Sequence, residues 1–138
     1  MANNQFLNEL ARITKIPQDE KNTTELAQIL LKGAEEDLNV YALCAQDKRY
    51  PDRANQLYAG FPNMRVLLCY TSEAEAKKNK KPLPPNSGRE IICIKYSIRD
   101  MICNALSKDS IVALGLDVYD THGYIIPKDL IAMLSLVK

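Results

Sequence analysis

The hydrophobic rhythm of the chain changes near residue 39. Before that point, Phe6, Leu7, Leu10 and Ala11 recur on one helical face, and Ile16-Pro17 breaks the run. Leu26, Ile29, Leu30 and Leu38 then resume helical spacing. Asn22-Thr23-Thr24-Glu25 reads as a capping box for this second helix, with the Asn side chain accepting a helix N–H and the Glu reaching back. Beyond residue 39, Val40–Ala45, Arg65–Tyr70, Glu90–Tyr96 and Ile111–Leu116 are short runs apolar on both alternating faces, as buried strands are.

Helix signals lie between these runs. Ser72 with Glu75, and Ser97 with Asp100, predict two capped helix starts. Ile98, Met101, Ile102, Ala105 and Leu106 form an apolar stripe on the second of these. Pro82-Leu83-Pro84-Pro85-Asn86-Ser87-Gly88 must be a loop. Residues 46–64 are polar and irregular, with Pro51, Gly60 and Pro62 as turn signals and a short strand predicted around Gln56-Leu57-Tyr58. Asp120-Thr121-His122-Gly123 is a turn, and Pro127 is placed as the first residue of a last helix whose Leu130, Ile131, Leu134 and Val137 face the core.

This order predicts a single α/β domain over residues 1–138, with α+β as the alternative arrangement. A helical N-terminal segment (1–38) precedes a sheet-containing core (39–138), whose mixed sheet of about four to five strands is flanked by helices. A chain of 138 residues fits one domain, and its 46% hydrophobic and 25% charged content is that of a folded globule.

A net charge of +1 argues against broad electrostatic binding to nucleic acid. The apolar runs are far shorter than the roughly 20 residues that cross a bilayer. Met1-Ala2-Asn3-Asn4-Gln5 carries no basic segment followed by an apolar stretch, so we expect no secretory signal and a cytoplasmic protein. Cys44, Cys69, Cys93 and Cys103 form no C-x-x-C pair and read as inert thiols without disulfides. With one histidine to help, no zinc site is expected, and no cofactor is implied.

The stretch from Met64 onward carries a resemblance. A strand runs straight into a capped helix in Val66-Leu67-Leu68-Cys69-Tyr70-Thr71-Ser72-Glu73-Ala74, and the chain closes on a turn followed by Tyr124-Ile125-Ile126-Pro127-Lys128-Asp129-Leu130-Ile131. Residues 38–137 in this respect resemble the N-terminal domain of the SseB-like (enhanced serine sensitivity) proteins, a bacterial family. Tyr70 stands where the family commonly has Phe, and Gly115-Leu116-Asp117 replaces its usual Asn-Pro. The resemblance implies an α/β domain without established catalytic residues.

Two places stand out as candidate sites. Arg49, Tyr50, Arg53, Tyr58 and Phe61 enrich the 46–64 segment in residue types favoured at protein interfaces. Asp117, Asp120 and His122 cluster just past a buried strand, where ligands gather in open α/β sheets and where a carboxylate can tune an imidazole. Lys77, Lys78, Lys80 and Lys81 lack interleaved aromatics and read as a solvated helix end. Cys103, with Arg99 four residues earlier, lies off the main helix stripe. The function read from the residues is a non-enzymatic protein-interaction or regulatory module. It presents the 46–64 segment or a sheet edge to another protein or to a second copy of itself. The alternative is a small-molecule-binding protein or enzyme using the Asp117–His122 turn.

Overall fold

A computed structural model describes residues 3–50, 52, 54–61, 63–80, 83–118 and 123–136. Helices α1 (Asn3–Thr14) and α2 (Glu20–Glu35) lead into strand β1 (Asn39–Asp47), and the short β2 (Ala54–Gln56) and β3 (Tyr58–Phe61) follow. Next come β4 (Met64–Cys69), α3 (Glu73–Lys78), β5 (Arg89–Ser97) and α4 (Ile98–Ser107). The described chain closes with β6 (Ile111–Leu116), β7 (Tyr124–Pro127) and α5 (Lys128–Leu136). The α/β class holds, but in place of one mixed sheet of about four to five strands the described strands form two sheets, ordered β2-β1-β5 and β3-β4-β6-β7, because the chain changes partners at Leu57. Strand pairing is mixed: β4 and β6 run parallel, and the other neighbours are antiparallel.

The two sheets meet at one place. Tyr41 N–H donates to Tyr70 O (3.0 Å) and Tyr70 N–H to Tyr41 O (2.8 Å), so β1 touches the end of β4. From this point they diverge, and Leu57 bridges the gap. Its N–H donates to Leu43 O (2.9 Å) and its carbonyl accepts from Leu68 N–H (3.3 Å). The strand predicted around 56–58 is therefore two strands in one: residues before Leu57 pair with β1, and residues after it pair with β4.

Strand alternation divides the core. Val40, Leu67 and Cys69 face the large core with α1, α2, α4 and α5, while Leu43, Leu68 and Tyr70 face a small second cluster with Ile91 and Ala76 of α3. The N-terminal helices belong to the large core: Phe6, Leu10, Leu26 and Leu30 are fully buried in it. A Cβ on Gly33 would lie 2.5 Å from the Phe6 ring, so the bare glycine is what lets α1 close on α2. Tyr124 of β7, also fully buried, donates its hydroxyl to Ile16 O (2.6 Å) and ties the α1–α2 connection to the sheet.

Two element starts differ from expectation. Helix α2 begins at Glu20, not after Asn22, because Asp19 adopts an extended backbone and its carboxylate accepts the Asn22 N–H (2.7 Å). Thr23 and Thr24 lie inside the helix and donate their hydroxyls to Asp19 O and Glu20 O. Pro127 ends β7, paired with Ala113, and α5 starts one residue later. A proline without N–H suits the end of an edge strand as well as a helix start. The Ser72 and Ser97 caps form as expected, accepting from Glu75 N–H (3.0 Å) and Asp100 N–H (3.3 Å).

Because Phe6 fills the contact between α1 and α2, Phe6→Ala should cost about 3–5 kcal/mol of stability. Urea unfolding checks this. A loss below about 1 kcal/mol would show that α1 contributes no core.

Candidate functional site

The 46–64 segment is built around the strand crossing. Asp47 Oδ1 accepts the Arg49 N–H (2.8 Å), and Arg49 and Tyr50 stand exposed in the connection to β2. Tyr58 and Phe61 belong to the β3–β4 hairpin, at whose tip Phe61 pairs with Met64; Phe61 is 74% exposed and Met64 56%. Gly60 has φ +92°, and a Cβ there would lie 2.5 Å from the Met64 carbonyl oxygen, so the hairpin requires glycine at this position. Arg53 lies outside the described residues. The structure thus joins Tyr58 and Phe61 on one hairpin and places Arg49 and Tyr50 on the preceding connection.

Arg65 and Arg89 are additions from the structure. Arg65 lies over the Tyr58 ring, 5.2 Å from its centroid, and donates from Nη2 to Ser110 Oγ. Its Nε is buried without a hydrogen-bond partner, as is Gln56 Oε1. Asp47 stands opposite Arg89 in the β1–β5 ladder, but Asp47 Oδ1 accepts from Arg49. Among the described residues neither Arg65 nor Arg89 has a carboxylate within ion-pair distance. Arg65 opens an apolar strand as a lone charge, a pattern that assigns it no role until the cavity is known.

The diverging sheets leave a cavity of about 330 Å³ on the side of the small core. Leu43, Leu57, Leu68 and Ile91 form its apolar wall, and Leu83 from the loop after α3 closes over it. Tyr58, Tyr70 and Asn79 supply its polar atoms. A second cavity, about 370 Å³, shares Leu57 and Tyr58 with the first and is lined by Gln56, Arg65 and Arg89.

Asp117 has a structural task. It ends β6 with φ 50°, is 4% exposed, and its carboxylate accepts from Thr71 N–H (3.0 Å) and the Thr71 hydroxyl (2.7 Å). Its own N–H donates to Cys69 O (3.0 Å). These bonds fasten together the carboxyl ends of the parallel strands β4 and β6. Gly123 packs so closely on the Asp117 carbonyl and the Val118 backbone that a side chain there would collide. Asp120 and His122 lie outside the described residues.

The remaining groups with chemistry are held. Lys77 and Lys78 pair with Glu73 (2.8 Å) and Glu75 (3.2 Å) on α3. Arg99 donates to Ala34 O and Glu35 O and pairs with Asp37 (3.0 Å), so its guanidinium caps the end of α2. Cys44 and Cys69 are buried, Cys93 is half-buried and Cys103 is exposed. Burial, with the nearby Asp117 adding, pushes the Cys69 thiol up. Burial, then the neighbouring Cys93, pushes Cys44 up from 9.0 to about 11. Among the described residues no group of three or more His, Cys, Asp or Glu could hold a metal ion, and no helix is long and apolar enough to cross a membrane.

The sheet edges are treated differently. At β7, the Gln18 side chain imitates a neighbouring strand: its Nε2 donates to Ile125 O (2.8 Å) and its Oε1 accepts from Ile125 N–H (3.2 Å). At β5, nine residues pair with β1 without a bulge; the Ser87 hydroxyl accepts from Arg89 N–H and donates to Arg89 O (3.3 Å each), and among the described residues nothing bonds to the outer side from Ile91 to Ser97. Ile92 and Ile94 of this edge are only partly buried and belong to neither core cluster. Comparison with protein families, curated proteins and solved structures finds no match to this chain.

Two outcomes follow. Removing the Asp117 carboxylate leaves Thr71 N–H and hydroxyl unpaired, so Asp117→Ala should cost about 1–3 kcal/mol in urea unfolding. Asp117→Asn should cost less, because it keeps an acceptor and tolerates positive φ. For Cys44, the folded thiol ionises later than the unfolded one. Its contribution to stability is therefore complete below pH 9.0 and lost as the pH rises toward about 11. The urea midpoint of the wild type should fall more steeply over that window than that of Cys44→Ala.

Proposed function

We propose that this chain is a non-enzymatic interaction module that self-associates by strand addition at β5. The observation that carries the reading is the contrast between edges: β7 is capped by the Gln18 amide and ends in Pro127, while β5 is tied only at Arg89, by the Ser87 hydroxyl, and stays open from Ile91 to Ser97 among the described residues. An open, apolar edge is a template for another strand. Lys95 is its one charged residue between Ile91 and Ser97. The resemblance to the SseB-like N-terminal domain supports the same reading, since that family implies no established catalytic residues.

The partner is a second copy. A two-fold axis normal to the sheet keeps each side chain on its own face, so two β5 strands pair antiparallel only in registers where the paired residue numbers sum to an even value. Centred on Cys93, this sets Ile92 opposite Ile94 and Glu90 opposite Tyr96, with no like charges directly facing. Opposed cysteines at the axis would have Cα atoms about 4.5–5.5 Å apart, within the span a disulfide bridges.

Sedimentation velocity should find a dimer. Ile94→Lys should raise its dissociation constant at least about tenfold without changing far-UV circular dichroism, because the apolar pair is replaced twice by symmetry. Diamide should cross-link the wild type and Cys103→Ser but not Cys93→Ser. A wild-type protein that stays monomeric at high micromolar concentration would overturn the reading.

A further inference from the structure

The two cavities at the strand crossing are contiguous in lining and opposite in chemistry. One is walled by Leu43, Leu57, Leu68 and Ile91 and closed by Leu83. Its volume, about 330 Å³, falls in the range of small-molecule pockets. The other, reached across Leu57 and Tyr58, holds Arg65 and Arg89. We propose that together they form a binding site for an amphiphilic monoanion, a single apolar chain or ring bearing a carboxylate, with the apolar part between the sheets and the carboxylate against Arg65 and Arg89. This proposal does not rest on self-association at β5.

Three observations carry it. Buried donors and acceptors in native proteins are normally partnered, yet Arg65 Nε and Gln56 Oε1 are both buried and both unpaired, and both residues line the second cavity. Arg65 is held in place by Ser110 and the Tyr58 ring, so its fork is preoriented while no carboxylate of the described chain neutralises it. A guanidinium binds a carboxylate through parallel N–H donors, and here one such donor is already directed away from water. Finally, the apolar cavity is not roofed by a helix of the large core: α3 contributes Ala76 to the cluster, and Leu83 comes from a loop. A loop can move aside to admit a ligand where the close-packed helices of the other face cannot.

The apolar part sets affinity, and the arginines set the sign of the charge. A neutral alcohol of equal length enters the first cavity and gains nothing in the second. A cationic amphiphile is rejected by the two arginines.

Isothermal titration calorimetry on the full chain tests this, with octanoate, decanoate, 1-decanol and decyltrimethylammonium as probes, each below its micelle concentration. Decanoate should bind more tightly than octanoate, by about fourfold for each buried methylene. It should bind at least about tenfold more tightly than 1-decanol, and the cation should not bind. Arg65→Gln and Arg89→Gln should each reduce the preference for decanoate over decanol while leaving decanol binding unchanged. Leu83→Ala should weaken both. Arg65→Gln also loses a bond to Ser110, so Arg89→Gln, whose side chain has no such tie, keeps the test decisive if the first variant is unstable. Equal binding of decanoate and decanol, no binding of either, or a charge preference that survives both arginine substitutions would overturn the proposal.

Discussion

Leu57 is the residue on which the architecture turns. A strand in a sheet normally spends its two edges on two neighbours of one sheet. Here the chain around Leu57 serves two sheets, and Leu57 gives its N–H to Leu43 on one side and its carbonyl to Leu68 on the other. Both backbone groups are satisfied at the crossing, so the change of sheet leaves nothing buried and unpaired in the backbone there. Together with the Tyr41–Tyr70 bridge it holds the β1 and β4 sheets together at one end and apart at the other. The divergence is what opens a cavity on the side of the small core. On the opposite side, four helices fill the space with close-packed side chains.

The parallel strands at the other end of the large sheet need a different fastening. Parallel neighbours cannot share a hairpin, and β4 and β6 are joined through α3, β5 and α4. Asp117 supplies the missing local closure, because one carboxylate accepts both the N–H and the hydroxyl of Thr71 while its N–H reaches back to Cys69. A carboxylate in this position reads from the sequence as candidate chemistry, and structural and catalytic aspartates look alike there. What distinguishes them is the partner, and Thr71 lies 46 residues away.

Period alone made the large elements legible. The buried strands at 40–45, 65–70, 90–96 and 111–116 have near-continuous apolar runs, and the Ser72 and Ser97 caps carry their acid three residues on. Three features were not legible, each because a tertiary partner decides them. Asp19 outcompetes Asn22 as the cap through its backbone conformation, which Asn22-Thr23-Thr24-Glu25 does not encode. Tyr124–Pro127 becomes a strand because β6 is beside it to pair with. The 46–64 segment reads as irregular with a single short strand around Gln56-Leu57-Tyr58, because its two strands are short and change partners midway, so neither runs long enough to show alternation. Of the candidate site, Tyr58 was visible as an exposed aromatic, whereas Arg65 and Arg89 acquire meaning only when the cavity places them together.

The open β5 edge and the arginine-lined cavity share residues, and this has a thermodynamic consequence. Ile91 forms part of the cavity wall, and Arg89 stands two residues before it on the same strand and the same face. If a second copy pairs along β5 and an amphiphilic anion fills the cavity, both events order the same strand. Whichever binds first meets part of the entropic cost that the other would otherwise meet, and the coupling is reciprocal by necessity. No movement of the large core is required, because Leu43 and Ile91 lie on the face of β1 and β5 that looks away from α1, α2, α4 and α5. The module would then associate more strongly when its cavity is filled, through one strand and without a hinge.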